Sequence, residues 1–205
     1  MTHSSYIVLD FETTGLNPEE GDRITEVGLV RVVDGHVSER FESLVDCGVR
    51  VPAAITAYTG ITQQMVEDAP LVGEVMRQVA VFIGETPVVA HNADLDQRFF
   101  LRECRRQRIG MLMEPFICTM RLSRRIYPHL PGHSLAELAR SLALPATGKA
   151  HRALADAELT AQLFVRLTQD VTAMHEALVL TPRLLRQLMH IPVGQLRSRL
   201  ERLCA

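Results

Sequence analysis

The sequence predicts an α/β protein with a mixed five-stranded sheet flanked by helices, followed by a helical C-terminal tail. Asp34-Gly35 stands between two strand-like runs, which indicates that the chain opens with antiparallel strands. Further along, short apolar runs alternate with segments of helical spacing, which is typical of parallel strands joined by helices. A chain of 205 residues with 47% hydrophobic residues can build one core of this kind.

The strands are expected in two groups. The first group, at residues 6–10, 24–33 and 36–45, forms a meander in which Asp34-Gly35 is the second turn. The second group begins with Pro87-Val-Val-Ala-His-Asn92, an apolar run that ends in polar residues, as a buried parallel strand does when its end faces a site. Residues 116–118 complete the sheet.

The expected helices follow apolar spacing and end signals. Tyr58-Thr-Gly60 closes a short helical turn, and Thr62 can cap the next helix. Asp94 followed by Gln97 has the acid-and-amide spacing of a capping box, so Asp94 is interpreted as a helix cap. The helical segments of the domain are expected at residues 52–62, after Thr62, and at 72–83, 94–108, 119–126, 134–142 and 152–168.

The last part of the chain has a different sequence pattern from the rest. We expect residues 1–170 to form one domain and residues 171–205 a helical extension in which a helix starts at Thr181-Pro182. The apolar residues of its last segment follow helical spacing beside arginines: Val193, Leu196, Leu200 and Leu203. Such a face is expected to pack on its own domain, and a homodimer or other partner contact through the tail is the alternative.

Composition excludes several classes of protein. A net charge of −2 and a pI of about 6.4 argue against a protein that holds nucleic acid by overall charge, so a polyanion would need a local patch and bound metal. No apolar stretch approaches the roughly 20 residues that span a bilayer, so no membrane is expected as a partner and a cytoplasmic location is expected. The cysteines form no CxxC pair and are expected to be reduced packing residues.

The first strand ends in two carboxylates one residue apart, Asp10 and Glu12, just ahead of Thr13-Thr14-Gly15. Because side chains alternate along a strand, both acids should emerge on the same face. Two like charges this close repel, and oxygen pairs of this kind suit a hard cation such as Mg²⁺ or Mn²⁺. The alternative is a strand that runs out into a polar turn, where these residue types are common.

Two later segments each carry an acid where a helix begins. In His91-Asn-Ala-Asp-Leu-Asp96, Asp96 lies in the first helical turn, where the helix dipole alone would favour a carboxylate. In His151-Arg-Ala-Leu-Ala-Asp156, a continuous helix would turn the two end residues roughly 140° apart. His151 and Asp156 can therefore meet only if His151 lies in the loop ahead of the helix. A histidine in a loop is usually a surface residue, but this one stands near an otherwise unexplained acid.

In order and spacing, Asp10-Phe-Glu12-Thr-Thr-Gly, His91-Asn-Ala-Asp-Leu-Asp96 and His151 with Asp156 resemble the three exonuclease motifs of the DEDDh superfamily. The resemblance covers about residues 6–168 and is greatest to the proofreading (epsilon) subunits of bacterial DNA polymerase III and their stand-alone relatives. It implies a ribonuclease H-like fold and hydrolysis of nucleotides from a 3′ end with two divalent ions, Mg²⁺ or Mn²⁺.

The resemblance also implies a role for each matched residue. Asp10, Glu12 and Asp156 would hold one ion, Asp10 would bridge to the second, and Asp96 would complete the second site. His151 matches the general base, and its ordinary pKa of about 6.5 leaves the imidazole able to accept a proton at neutral pH.

The substrate is expected to lie against the same segments. The resemblance suggests that Thr13, Thr14 and Gly15 bring backbone close to the terminal nucleotide and that Leu16 wedges against its base, and His91 and Asn92 are expected beside it. DNA with a single-stranded or frayed 3′ end is the expected substrate, in proofreading or repair and with a DNA polymerase as a partner. RNA is the alternative substrate, and a non-catalytic nucleic-acid-binding module is the alternative function. Eight arginines could line the approach or form a solvated helix face: Arg98, Arg102, Arg105, Arg106, Arg108, Arg121, Arg124 and Arg125.

Overall fold

A computed structural model describes residues 4–111, 114–145, 148–175 and 177–204. Its strands are β1 (Ser5–Thr13), β2 (Ile24–Val33), β3 (His36–Leu44), β4 (Val88–Ala90) and β5 (Ile117–Cys118). They form one sheet of order β3-β2-β1-β4-β5, in which β1 to β3 are antiparallel and β4 and β5 continue parallel to β1. The predicted mixed five-stranded sheet is confirmed.

Helices flank this sheet, and the longest of them, α7, packs across β1 and β2. The helices are α1 (Ala53–Thr59), α2 (Gln63–Glu67), α3 (Val72–Ile83), α4 (Ala93–Arg106), α5 (Thr119–Ile126), α6 (Leu135–Ser141), α7 (Ala153–Met174), α8 (Pro182–Leu188) and α9 (Leu196–Cys204). The predicted bounds of β2, α3 and α5 agree with these. The first strand is longer than predicted because β1 keeps pairing with β2 as far as Thr13.

Several turn and cap signals act as predicted. Asp34 and Gly35 both have positive φ, 50° and 82°, which is the conformation that a tight hairpin needs. Gly60 ends α1 in the left-handed conformation. The hydroxyl of Thr62 accepts a hydrogen bond from the backbone N–H of Met65 at 3.2 Å and so caps α2.

The predicted role of Asp94 as a helix cap is wrong. The residue that caps α4 is Asn92, which has left-handed backbone angles and makes no side-chain capping bond. The helix therefore starts at Ala93, and Asp94 already lies inside its first turn, where it pairs with Arg121. Gln97, the other half of the expected box, instead accepts a hydrogen bond from the backbone N–H of Phe116 at 3.1 Å.

The C-terminal tail continues directly from the domain. The predicted boundary between residues 170 and 171 falls inside α7, which runs on to Met174. The predicted start of α8 is confirmed, since the Thr181 hydroxyl accepts a hydrogen bond from the N–H of Leu184 at 3.1 Å.

The apolar face of α9 packs on its own chain. Leu196 and Leu200 are 4% and 2% exposed and belong to the main core. Val193 precedes the helix and does not share its buried face, since 55% of it is exposed. The side chain of Leu203 lies outside the described part of the structure.

Two apolar clusters stabilise the described residues. The main core fills the space between the sheet and the flanking helices. A smaller group, which we call the satellite cluster, lies beside α1 and α2 and comprises Cys47, Val51, Ile61 and Val66. Of the cysteines whose side chains are described, Cys47, Cys104 and Cys118 are buried free thiols. Within the described ranges, the structure contains no helix of the length and apolarity that crossing a membrane requires.

Candidate active site

The two acids of the first motif lie on one face of β1, because the strand continues past both of them. Glu12 is 9% exposed, and Asp10 is half-buried. Their partners across the antiparallel ladder are Gly28 opposite Asp10 and Glu26 opposite Glu12. The alternative, a strand that has already become a polar turn at these residues, does not apply.

The acid of the second motif approaches the same strand from α4. Asp96 lies in the first turn of the helix, as predicted, and is 6% exposed. Its Oδ1 accepts a hydrogen bond from the backbone N–H of Phe11 at 3.3 Å. Since Phe11 stands between Asp10 and Glu12, this bond brings the second motif to the first.

His151 lies in the loop ahead of α7, which is the position that it needs in order to meet Asp156. Its backbone has a positive φ of 60°, and its N–H donates to Oδ2 of Asp156 at 3.0 Å. One carboxylate oxygen each of Glu12 and Asp156 and one ring nitrogen of His151 all lie within 4.8 Å of one another. The first and third motifs therefore meet in one cluster of potential ligands.

Glu26 holds the start of α7 in place, a role that the sequence analysis missed. Its carboxylate is 1% exposed, accepts a hydrogen bond from the N–H of Ala153 at 2.9 Å, and is paired with the guanidinium of Arg152. Gly28 makes the approach possible, because a Cβ there would overlap the backbone of Ala153. The available signal was an acid and a glycine inside a mostly apolar strand, since both residue types are depleted in strands.

The loop between β1 and β2 carries the residues expected at the substrate. Asp22 closes it by accepting a hydrogen bond from the hydroxyl of Thr14 at 3.2 Å, and Gly15 leaves the space that this carboxylate fills. The hydroxyl of Thr13 donates to the carbonyl of Gly15 at 2.6 Å. Both threonine hydroxyls thus shape the loop, and Leu16 is left 73% exposed at its tip.

A fully buried acid of α4 braces this loop. Glu103 is 0% exposed and accepts hydrogen bonds from Arg23 at 2.5 and 3.1 Å and from Arg106 at 2.8 Å. Arg106 also donates to the carbonyl of Pro18 at 3.0 Å. These contacts tie both arms of the loop to the helix that carries Asp96.

Other arginines that could have lined the substrate approach also serve the fold. Arg98 donates to the side chain of Asn17 at 3.0 Å, and Arg125 donates to the carbonyl of Ile191 at 3.0 Å. The arginines of the predicted set that are exposed are Arg98, Arg105, Arg108 and Arg124.

The proximity of the acids changes their proton affinity. Burial, followed by four neighbouring carboxylates of which Asp96 is the strongest, raises the pKa of Asp10 well above its ordinary value. Burial and then Asp156 raise the pKa of Glu12 to about 7, and burial raises the pKa of Asp96 to about 8. Burial also raises the pKa of Asp156, in opposition to its hydrogen bond from His151. The cluster is therefore costly to ionise fully without a cation.

This donor set fits a hard divalent cation. Asp10, Glu12, Asp96 and Asp156 offer only carboxylate oxygens, the ligands that Mg²⁺ and Mn²⁺ prefer. A cation among them would also relieve the repulsion that raises their pKa values. His151 is close enough either to act as a base beside such an ion or to bind it.

His91 has no ring nitrogen left for a substrate. Its Nε2 lies 3.0 Å from the carbonyl of His133, and its Nδ1 lies 2.8 Å from the hydroxyl of Thr119. A carbonyl only accepts, so Nε2 carries the hydrogen and Nδ1 accepts from Thr119. Burial lowers the pKa of His91 to about 4, which keeps the ring neutral. His91 thus joins the end of β4 to α5, whereas Asn92 beside it is exposed.

Comparison with known proteins covers the whole of this site. Residues 7–164 match the exonuclease family model RNase_T. The chain is 33% identical over 167 residues to the DNA polymerase III subunit epsilon of Aquifex aeolicus, with 82% of each chain covered. It is 40% identical over 173 residues to a DNA polymerase III subunit epsilon-like protein of Rhodobacter capsulatus, of whose length it spans 24%.

Among solved structures, the fold is similar to that of Exonuclease X in complex with 5′ overhanging duplex DNA. The TM-score is 0.71 at 28% identity, with 90% of this chain and 99% of that one covered. The predicted ribonuclease H-like fold is thereby confirmed.

Proposed function

This chain belongs to the RNase_T exonuclease family and is a 3′–5′ exonuclease, and from that premise we propose that it hydrolyses DNA by a two-metal mechanism. The observation that carries the proposal is the group of ligand atoms from Glu12, His151 and Asp156 within 4.8 Å. Asp10 lies on the same face of β1 as Glu12, and Asp96 is bonded to the residue between them.

The four acids are assigned to two divalent ions, Mg²⁺ or Mn²⁺. Asp10 would be shared between them, since the charges of Asp96, Glu12 and Asp156 all act on its carboxyl group. When bound, such a pair of ions activates the attacking water and neutralises charge on the leaving 3′ oxygen. The protein's part is to hold its carboxylates in place before the ions arrive, through the bonds to Phe11 and His151.

His151 is assigned the proton transfer. A ring nitrogen would take a proton from the attacking water as the water oxygen bonds to phosphorus and the bond from phosphorus to the 3′ oxygen breaks. The 3′ oxygen takes up a proton from solvent, and the products are a nucleoside 5′-monophosphate and a shortened strand with a 3′ hydroxyl. The bond from the His151 backbone to Asp156 keeps the imidazole on the side of the carboxylates.

The terminal nucleotide is assigned to the loop between β1 and β2. Backbone from Thr13 to Gly15 would line its sugar and phosphate, and the exposed side chain of Leu16 would contact its base. Asn92 is assigned to the same end of the substrate, whereas the ring of His91 is left out because its nitrogens are engaged. With 5% aromatic residues and no Trp, the chain offers a short footprint on single-stranded or frayed ends.

The names of the similar proteins favour DNA over RNA as the substrate. Two relatives are named as epsilon or epsilon-like subunits of DNA polymerase III, and the structural neighbour Exonuclease X was solved with duplex DNA. The same relatives support a proofreading setting with a DNA polymerase as partner, and repair without one is the alternative. Gln162-Leu-Phe164 offers no docking peptide, because Leu163 and Phe164 are 0% and 2% exposed in α7.

The test is digestion of 5′-labelled DNA and RNA oligonucleotides of one sequence with Mg²⁺, Mn²⁺ or EDTA. We expect a metal-dependent ladder that shortens from the 3′ end, stronger on DNA, and absent in Asp156→Asn. Asp68→Asn, which changes an exposed aspartate at the end of α2, is the matched control and should digest normally. A stronger ladder on RNA would overturn the substrate, and an active Asp156→Asn would overturn the site.

A further inference from the structure

One exposed aromatic side chain contacts the proposed base. The ring centroids of Tyr58 and His151 lie 3.9 Å apart, and the two planes are inclined by 32°. Tyr58 is 61% exposed, so the main core does not account for its position. A ring contact this close can stabilise the orientation of both side chains.

The backbone of Tyr58 is fixed by the residues that follow it. Thr59 is 1% exposed; its hydroxyl donates to the carbonyl of Ile55 and accepts from the N–H of Ile61, both at 3.0 Å. Ile61 in turn is buried in the satellite cluster. Gly60 turns the chain with a left-handed conformation between them. The ring of Tyr58 therefore projects from the last turn of α1, which these contacts anchor.

The ring of His151 is held differently from its backbone. The backbone is fixed by the bond from its N–H to Asp156 and has a positive φ, which non-glycine residues adopt only when their surroundings hold them there. Among the hydrogen bonds found in the described ranges, none involves the imidazole. Rotation of the ring about its side-chain torsions is thus restrained by packing, and Tyr58 supplies that packing.

A second contact joins the same two segments. A Cβ on Gly60 would lie 3.0 Å from Nζ of Lys149, so the loop before α7 lies against the turn after α1 at two places. Burial, then the charges of Glu12, Asp156 and Asp10, raise the pKa of Tyr58.

We propose that Tyr58 is a positioning residue for the reaction: its ring stacks on His151 and holds the imidazole in the orientation for proton transfer. The inference rests on the proposed function, because it assigns Tyr58 a task only through His151. Tyr58 acts from the end of α1, outside the three motifs that carry the acids and the proposed base.

The kinetic test is a double-mutant cycle on the DNA substrate. Tyr58→Leu should lower kcat about three- to tenfold with KM unchanged, the range that the loss of one aromatic contact allows. Tyr58→Phe keeps the ring and should restore the wild-type rate. In a His151→Ala background, Tyr58→Leu should have no further effect. Leu71→Ala, which trims another exposed apolar side chain, is the control.

A spectroscopic readout tests the geometry without any metal or activity. In the metal-free protein, the ring-proton resonances of His151, identified by their absence in His151→Ala, should show an upfield ring-current shift. That shift should persist in Tyr58→Phe and disappear in Tyr58→Leu.

Two results would overturn the inference: a His151 resonance that Tyr58→Leu leaves unchanged, or an equal loss of rate from Tyr58→Leu with and without His151. The second result would mean that Tyr58 contacts the substrate directly. A wild-type protein that digests neither DNA nor RNA would instead overturn the proposed function itself, and the two failures are thus told apart.

Discussion

The acids of the site and the histidine beside them are held by two different regions of the molecule. Asp10, Glu12 and Asp96 stand beside the main core, on a strand and a helix joined by a buried hydrogen bond. His151 stands in the loop ahead of α7, held by one backbone bond and by the ring contact with Tyr58. The first region is strained by like charge. In the second, His151 is half-buried, and its ring makes no hydrogen bond among the described residues.

The difference follows from what each region has to do. Carboxylates that repel one another stay together only if the fold pins them, and the pKa values raised by burial and neighbouring charge record that cost. The proposed base, His151, would have to pass its proton on to solvent, which a half-buried side chain can still reach. We therefore expect changes in the acid region to act on metal binding and stability, and changes on the histidine side to act on rate.

The largest effect is expected from Asp10→Asn, which removes the charge shared by the whole cluster. Hydrolysis should fall to background, and the rise in melting temperature with Mg²⁺ should be lost. In EDTA the variant should melt above the wild type, because one source of repulsion is gone. Thermal melts with and without metal, beside a digestion assay, check all three. Unchanged digestion would remove Asp10 from the site.

His151→Ala should separate the two regions. Loss of a general base lowers the rate by about 10²–10⁴-fold. Metal binding should survive, so Mg²⁺ at 100 times its Kd should still raise Tm by about 5–10 °C. If His151→Ala lost the Mg²⁺-dependent rise in Tm as well as the rate, His151 would be a metal ligand instead. Glu12→Gln, which removes a charge from the acid region, is the comparison variant and should lose the rise in Tm.

Local patterns were enough to predict most elements and the placement of several candidate site residues. The alternation of β1 placed Asp10 and Glu12 on one face, and the turn angle of a helix placed His151 in a loop. The bounds of β2 and α5 followed from Asp34-Gly35 and from apolar spacing. In each of these cases the determining residues lie within a few positions of one another.

The features that the sequence did not reveal all join distant segments. Glu26 and Arg152 are 126 positions apart, and Arg23 and Glu103 are 80 apart. A pattern shows that an acid interrupts a strand, but the identity of its partner depends on the packing of α7 on β2. For the same reason, the sequence could not show that Thr119 and the loop before α6 both bind the ring of His91.

The bracing of the acid region can be tested at Glu103, away from the metal ligands. Glu103→Ala leaves Arg23 and Arg106 without their buried partner and should lower the free energy of unfolding by about 3 kcal/mol, the lower part of the range for a broken buried pair, since both arginines reach solvent. Glu158→Ala breaks the exposed pair with Arg40 and should change it by about 1 kcal/mol or less. Urea denaturation measures both. Equal effects would show that the loop is not braced as described.

The smallest effect is expected from the carboxyl group of Asp96, through the pH dependence of stability. Asp96 has an ordinary pKa of 3.8 and a folded-state pKa of about 8, so between these values the folded protein binds a proton that the unfolded chain releases. Stability of the metal-free protein should therefore fall as pH rises through this window. One such proton corresponds to about 3–5 °C in Tm per pH unit.

The test compares Asp96→Asn with the wild type in EDTA. Between pH 6.5 and 7.5, the Tm of the variant should fall by about 3–5 °C less than the Tm of the wild type. Its amide oxygen can still accept the bond from Phe11, and His91, whose lowered pKa acts in the opposite direction, is common to both proteins and cancels in the difference. Asp68→Asn should follow the wild type, and if Asp96→Asn follows it too, the carboxyl of Asp96 is not held protonated by its burial against β1.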